Sequence, residues 1–410
     1  MTEKLPDAAN LEWLRKEAKK RLRELRKTNP KAQLADAQLQ LARHNGFASW
    51  RALKADIDAR TVVGQLFGHA GKGEVKKLTA MLDADPALLY ARSTPYRFTL
   101  LHEAAQKGQL AVVDFLLRRG LDVNAREDGD NTYAMHWAAA AGRADIVGRL
   151  IAAGGDVIGH GDDHALDIIG WATCWDGCDD EAHRAVADAL LRTGAKHHIY
   201  SAISMGLTDE VRRIVAANPA ALRQPLSRNE AHEQPLMFAV RRNRADMVTL
   251  LLELGADSGA RDDEGATAMV YGGFPNVTTE TIRALARGAP RDVFSALALG
   301  DEAAAARFFD ADPAAAEREG ALHLLAKRGN ARAVRWLLAR GVDVNARWNH
   351  WGSVLTPLHL AIMENQVDSV RILLDAGADT TITDTLHDSD PIGWAEFFQR
   401  AGLVKMMRKR

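Results

Sequence analysis

A helical phrase that stops at a glycine recurs along this chain, and nothing else in it constrains the fold as tightly. It reads AVVDFLLRRG at 111–120, ADIVGRLIAAG at 144–154, AVADALLRTG at 185–194, ADMVTLLLELG at 245–255, ARAVRWLLARG at 331–341 and VDSVRILLDAG at 367–377. Counting back seven, four and three places from the glycine, the residues are apolar: Val113/Leu116/Leu117, Val147/Leu150/Ile151, Val248/Leu251/Leu252, Val334/Leu337/Leu338 and Val370/Leu373/Leu374. That spacing is one face of an α-helix. The glycines, Gly120, Gly154, Gly194, Gly255, Gly341 and Gly377, are then the left-handed residues that end each helix.

A shorter helix is expected ahead of each phrase. Its fullest form is Thr356-Pro357-Leu358-His359-Leu360-Ala361, with relatives at Thr99–His102, Tyr133–Ala138, Ala321–Ala326 and Asp390–Ala395. A threonine hydroxyl can cap the first turn, and a proline there lacks only a donor that has no partner in any helix. Between the long helix and the next short one the sequence is polar or glycine-rich, as in NAREDGDNT at 124–132, which suits a tight hairpin loop.

The T-P-L-H-x-A phrase, the helix pair and the glycine followed by D-V-N-A resemble the ankyrin repeat, a unit of about 33 residues. Gly120 to Gly154 is 34 residues and Gly341 to Gly377 is 36. The resemblance covers roughly 62–410 and implies an all-α solenoid of helix pairs joined by hairpin loops. A second kind of unit ends in Asp-Pro or Asn-Pro instead of glycine, at 73–89, 209–222 and 302–316. Proline cannot continue a helix, so it stops the chain by another route. About ten units plus a C-terminal cap are expected over 61–410. The unit at 264–290 is the most irregular, because GGFPN (272–276) interrupts its helix pattern and predicts a bend.

Residues 1–60 follow a different pattern and are read as a separate three-helix domain. Leu11, Leu14, Ala18, Leu22 and Leu25 share one helical face, Asn29-Pro30 breaks it, and a second helix ends near Asn45-Gly46. Ser49 is placed to cap a third helix carrying Trp50, Leu53 and Ile57. This piece holds 14 Lys+Arg against 8 Asp+Glu, whereas the rest holds 39 against 46, within a net charge of −1. Its Gly46-Phe47, Ser49-Trp50 and Leu53-Lys54 are similar to leaders found ahead of bacterial ankyrin proteins.

A single core across 410 residues would be unusual, and a repeat array avoids that limit. The balanced overall charge implies no general affinity for polyanions. Two cysteines, Cys174 and Cys178, fit a reducing compartment. The N-terminus has no apolar core of a secretory signal, and no apolar run approaches the ~20 residues needed to span a bilayer. A cytoplasmic, monomeric protein without membrane contact is expected.

Two places invite a chemical reading. His102, His136, His323 and His359 recur at one position of successive units, where resemblance to ankyrin proteins implies hydrogen bonds to neighbouring loop backbone. Trp137, Trp171 and Trp394 share the next position and are read as packed between units. The run from His160 through Cys174 and Cys178 to His183 has zinc-type side chains, but C-x3-C-x4-H matches no strong zinc spacing. Asp179 or Asp180 is read instead as the cap of the helix carrying Val186 and Leu190. A metal-dependent activity there, and a nucleic-acid role for the basic helix at 15–27, are the alternatives to protein binding. No phosphate-binding loop, nucleophile elbow or H-E-x-x-H motif is present, so no enzyme activity and no cofactor are expected.

The expected function is a scaffold that holds an unidentified partner protein on the inner face and hairpin tips. Trp348, His350 and Trp351 form the leading contact set, because paired tryptophans on a tip resemble a binding hot spot; rings folded back on a neighbouring tip are the alternative. Tyr96, Arg97 and Phe98 form a second set. Asp128, Asp130, Asp162, Asp163, Asp262, Asp263 and Glu264 make other tips acidic, which favours a basic partner.

Overall fold

Every glycine that the phrase predicts as a terminator is left-handed: φ is +85° at Gly120 and Gly154, +112° at Gly194, +97° at Gly255, +82° at Gly341 and +89° at Gly377. Open space surrounds each of the six, so the backbone angle and not crowding demands glycine there. The following amide closes the turn, as in Leu121 N to Leu116 O (3.2 Å) and Ala378 N to Leu373 O (3.0 Å). The computed structural model describes residues 11–60, 62–93, 96–287 and 291–409. The first ten residues of the stretch read for a secretory signal, 1–20, lie outside them.

The chain forms two compact units, one of Met1–Asp163 with Asp167–Lys196, the other of His164–Leu166 with His197–Arg410. The first begins with three helices, Leu11–Thr28, Leu34–His44 and Trp50–Arg60. Leu14, Ala18, Leu41, Ala42, Leu53 and Ile57 make their core, edged by Trp13, Phe47 and Trp50. Ser49 Oγ accepts from Ala52 N at 3.2 Å, capping the third helix as expected. Four helix pairs follow: Val62–Gly71 with Val75–Ala84, Leu100–Gln106 with Leu110–Arg118, Ala134–Ala140 with Ala144–Ala152, and Asp167–Trp171 with Glu181–Arg192. The third leading helix packs on the first of these pairs, which is why the compact unit runs past residue 60. The division of residue pattern at 60/61 remains our proposal for the domain boundary.

The second unit holds seven pairs: Ile199–Met205 with Thr208–Ala217, Pro235–Arg241 with Ala245–Glu253, Ala268–Tyr271 with Thr279–Leu285, Val293–Ala298 with Glu302–Ala311, Ala321–Lys327 with Ala331–Leu338, Pro357–Met363 with Val367–Asp375, and Pro391–Phe397 with Ala401–Met407. Within each unit short helix mostly packs on short helix and long on long, so the core is a continuous layer between them. The pair at 268–285 is the irregular one: its first helix has only four residues and ends at Gly272.

The proline terminators share one geometry. Asp85, Asn218 and Asp312 sit at φ −142°, −146° and −151° with ψ near 90°, off the helix, as a residue before proline must be. Each side chain then caps the short turn that the proline opens, accepting from Ala87 N, Ala220 N and Ala315 N. Such a cap contributes about 1 kcal/mol.

The repeated histidines hold successive loops together. His102 Nε2 donates to Thr132 O (3.0 Å), His136 Nε2 to Gly159 O (3.2 Å), His323 Nε2 to Leu355 O (3.1 Å) and His359 Nε2 to Ser389 O (3.3 Å). The other ring nitrogen faces the cap of its own helix, Thr99 Oγ1 at 2.7 Å from His102 and Thr356 Oγ1 at 2.8 Å from His359. Burial holds His102, His136 and His323 neutral, with pKa values pushed down to about 4.

Candidate functional site

The tip at 96–98 is fixed from both sides. Ser93 N donates to Phe98 O (3.0 Å), and Asp128 N on the next tip donates to Tyr96 O (3.0 Å). Phe98 turns inward and starts a row of rings: it lies 4.9 Å from Trp137, which lies 5.3 Å from Trp171, which lies 5.3 Å from Trp175. Tyr96 faces outward and is 57% exposed. Arg97 Nε pairs with Asp128 at 2.8 Å, both side chains largely in water. This leaves a rigid tip carrying one aromatic ring, one cation and one anion.

The tryptophan tip is built otherwise. Trp348–His350 and Ser353–Leu355 form an antiparallel hairpin, with Trp348 opposite Leu355 and His350 opposite Ser353. Trp351 and Gly352 make its two-residue turn, both left-handed at φ +47° and +74°. A left-handed tryptophan is a strained residue, and its ring contacts offset that strain. Trp351 lies 5.8 Å from Tyr271 and 5.2 Å from Phe274, two helix pairs earlier in the chain. Trp348 covers Gly320 and donates from Nε1 to Arg318 O at 3.2 Å. His350 is buried between the two indoles. The rings therefore fold back on the chain, the alternative weighed from the sequence, and at this place the inner face is covered by the protein itself.

Lys327, a residue the sequence reading passed over, is what they close upon. It is fully buried, with Nζ 3.9 Å from the Phe274 ring centroid, 4.4 Å from that of Trp351 and 3.2 Å from His350 Nε2. Burial pushes its pKa down to about 8, with Glu364 pulling the other way. The next residue, Arg328, reaches Phe274 O at 3.1 Å and also bonds Gly272 O at 2.5 Å. The expected bend at 272–276 is thus the dock that receives this cluster. Gly273 is required there, because an added Cβ would lie 2.5 Å from Leu324.

The acidic tips need correction. Asp162 and Asp262 are buried, not presented to a partner. Asp262 accepts from Glu264 N (3.0 Å), Ala266 N (2.8 Å) and Tyr271 OH (2.8 Å). Asp162 accepts from Asp167 N (2.9 Å) and Trp171 Nε1 (3.1 Å). Glu127, Glu233 and Asp384 are buried in like manner at other loops. A tight loop turns several amides inward, and a carboxylate is the side chain with most acceptor sites for them. Burial opposes the charge of Glu127, but the Thr132 hydroxyl and amides outweigh it and hold the pKa below the usual range. For Glu233 burial prevails over Arg241 and lifts the pKa to about 7. Asp128 and Asp263 do reach solvent, although Asp263 pairs with His232 at 2.6 Å.

The residues of the Cys/His loop disperse. His160 pairs with Asp167 (2.8 Å), His164 with Glu230 (2.5 Å) and His183 with Asp180 (2.6 Å). Asp180 caps the Glu181–Arg192 helix through His183 N. Cys174 and Cys178 are buried and form no disulfide among the described residues. Among the described residues no group of three or more His, Cys, Asp or Glu is placed to hold a metal ion. None of the described helices is long and apolar enough to cross a membrane. On the leading helix Arg15, Lys16, Lys19, Lys20, Arg23 and Lys27 are exposed, with Lys20 and Lys27 paired to Glu17 and Glu24.

Family models described as ankyrin repeats match at residues 101–151, 233–263 and 279–384. A probable E3 ubiquitin-protein ligase of rice, XBOS31, is 43% identical over 94 residues, 23% of this chain and 21% of the relative. A putative ankyrin repeat protein of fowlpox virus, FPV219, is 45% identical over 65 residues, 16% and 14%. Protein PhlB of Serratia liquefaciens is 42% identical over 81 residues, 19% and 35%. The chain thus spans about a third or less of the length of these relatives. The solved ankyrin repeat domain of human ASB11 aligns with a TM-score of 0.38 at 22% identity, over 55% of this chain and 98% of that one.

Proposed function

This chain belongs to the ankyrin-repeat proteins, and from that premise we propose that it is a cytoplasmic, bacterial-type adaptor, monomeric by itself, that grips a partner protein with its hairpin tips. Ankyrin repeats generally serve as interaction modules and not as catalysts, and no chemical step is assigned to the chain. The observation that carries the reading is the Tyr96 tip. Tyr96 is 57% exposed while its backbone is tied to the next tip through Asp128. A rigid tyrosine loses little conformational freedom on binding, which is why such residues make hot spots. Arg97 and Asp128 flank it with both signs of charge. Asp263, Trp348 and Trp351 belong to a secondary contact zone in this reading, through the parts of them that face water. Buried cysteines at 174 and 178 outside any disulfide suit the reducing cytoplasm.

The test is affinity capture from native extract with the full chain. Wild type should retain a partner that Tyr96→Ala/Arg97→Ala loses by tenfold or more, at unchanged helicity. Equal retention by both would sink the assignment of this tip, and no retained protein at all would sink the adaptor reading.

A further inference from the structure

We propose that the cavity beneath the tryptophan hairpin is a binding site for a carboxylate carried on an aromatic or apolar body. A helix-pair array is normally too shallow to wall a ligand in. Here the hairpin arches back toward the bend at 272–274 and supplies the missing wall. The cavity measures about 590 Å³, the size of a small-ligand site. Met269, Val270, Phe294 and Leu324 contribute to its apolar lining together with Trp348.

The polar groups around it point to an anion. His350 lines the cavity, is only 5% exposed, and among the described residues its Nδ1 has no hydrogen-bond partner. The Lys327 ammonium sits 3.2 Å from Nε2. An ammonium can only donate, so Nε2 accepts and the imidazole proton belongs on Nδ1. A buried N–H without an acceptor calls for one from outside. Arg261, Arg291 and Arg318 also line the cavity. Arg318 pairs with Asp312 at 2.9 Å, but among the described residues neither Arg261 nor Arg291 forms an ion pair. Arg261 donates to Gly265 O and Arg291 to Ala286 O, both main-chain oxygens. Three acids share the lining, Glu264, Asp292 and Glu319. Asp292 is taken up as the cap of Val293–Ala298 through Ser295 N, at 2.6 Å. Burial, with Asp292 nearby, raises the pKa of the Glu319 carboxyl, while the charges of Arg318 and Arg261 act against that rise. Two guanidiniums and one imidazole thus border a cavity that is apolar in part, and a planar carboxylate matches their donors.

Such a group comes either from a free aromatic acid or from the C-terminus of a peptide. Calorimetric titration of the full chain with 2-naphthoate and with Gly-Phe, each beside its neutral amide, separates the sources. One saturable site is expected for at least one acid, with its amide tenfold weaker or worse, and the tighter acid names the source. Arg261→Gln/Arg291→Gln should weaken that acid at least tenfold; both residues lie at the surface, and an unchanged circular dichroism spectrum would show the fold retained. No saturable binding by either acid, equal binding of acid and amide, or full binding by the double variant would overturn the proposal.

Discussion

The two aromatic tips begin from similar raw material and end in opposite states. At 96–98 one ring turns inward to Trp137 and Tyr96 is left in water; at 348–351 both indoles are drawn back over the chain. The difference lies in what stands beneath them. Under the first tip the short helices continue in step, and the slot beside Trp137 takes one ring. Under the second, the helix Ala268–Tyr271 stops after four residues and turns out at Gly272–Phe274, which opens a dock two pairs back. In this chain the aromatic ring left in water is the one with a regular array beneath it.

That contrast can be broken most forcefully at Trp351. Replacing it with Ala removes the ring from Phe274, Tyr271 and Lys327 and should cost about 3 kcal/mol in urea unfolding, at the low end for a large aromatic because the ring is only part-buried. A loss below about 1 kcal/mol would mean the fold-back carries no weight. An effect of pH is no larger. Lys327 titrates at about 8 when folded and near 10.5 when unfolded, so between those values the unfolded chain binds more protons and stability rises with pH. The gain in unfolding free energy is at most about 3 kcal/mol from pH 8 to 10.5. Lys327→Met should lack it, and parallel stability curves for the two proteins over that range would refute a buried ammonium. The smallest effect belongs to the other tip: Tyr96→Ala should shift stability by no more than about 0.5 kcal/mol, as at surface positions generally. A larger loss in thermal or urea unfolding would show Tyr96 to be a packing residue after all.

Much of the fold was legible because it depends on backbone angles and helix periodicity. Gly120 through Gly377 announce their turns by φ, and Asp85, Asn218 and Asp312 announce theirs by the proline that follows. The irregular GGFPN stretch was legible as a bend, but not as a receptor, because its partners Leu324, Lys327 and Trp351 are some 50 to 80 residues away in sequence. The loop acids were misread for a different reason. A carboxylate in a polar tip is expected in water, and only the count of inward amides shows why Asp262 and Asp162 are buried. A faint signal did exist: Asp162 to Trp171 and Asp262 to Tyr271 are both nine residues, and Asp384 to Trp394 is ten, each joining an acid to a ring donor on the next short helix. Lys327 gave no signal, since a lysine on a short helix is ordinarily a solvated one.

The link from Lys327 and Arg328 back to Phe274 also has a mechanical side. A stack whose members touch only their neighbours peels from an end, one pair for each increment of force. Here the pair at 321–338 holds the one at 268–285 directly, around the pair at 293–311. Drawn out by its ends, this stretch would resist as a clasped bundle and let go in a single long extension. Each residue freed lengthens the chain by roughly 3.3–3.6 Å, so the clasp would be seen as one step about three pairs long among a train of shorter ones.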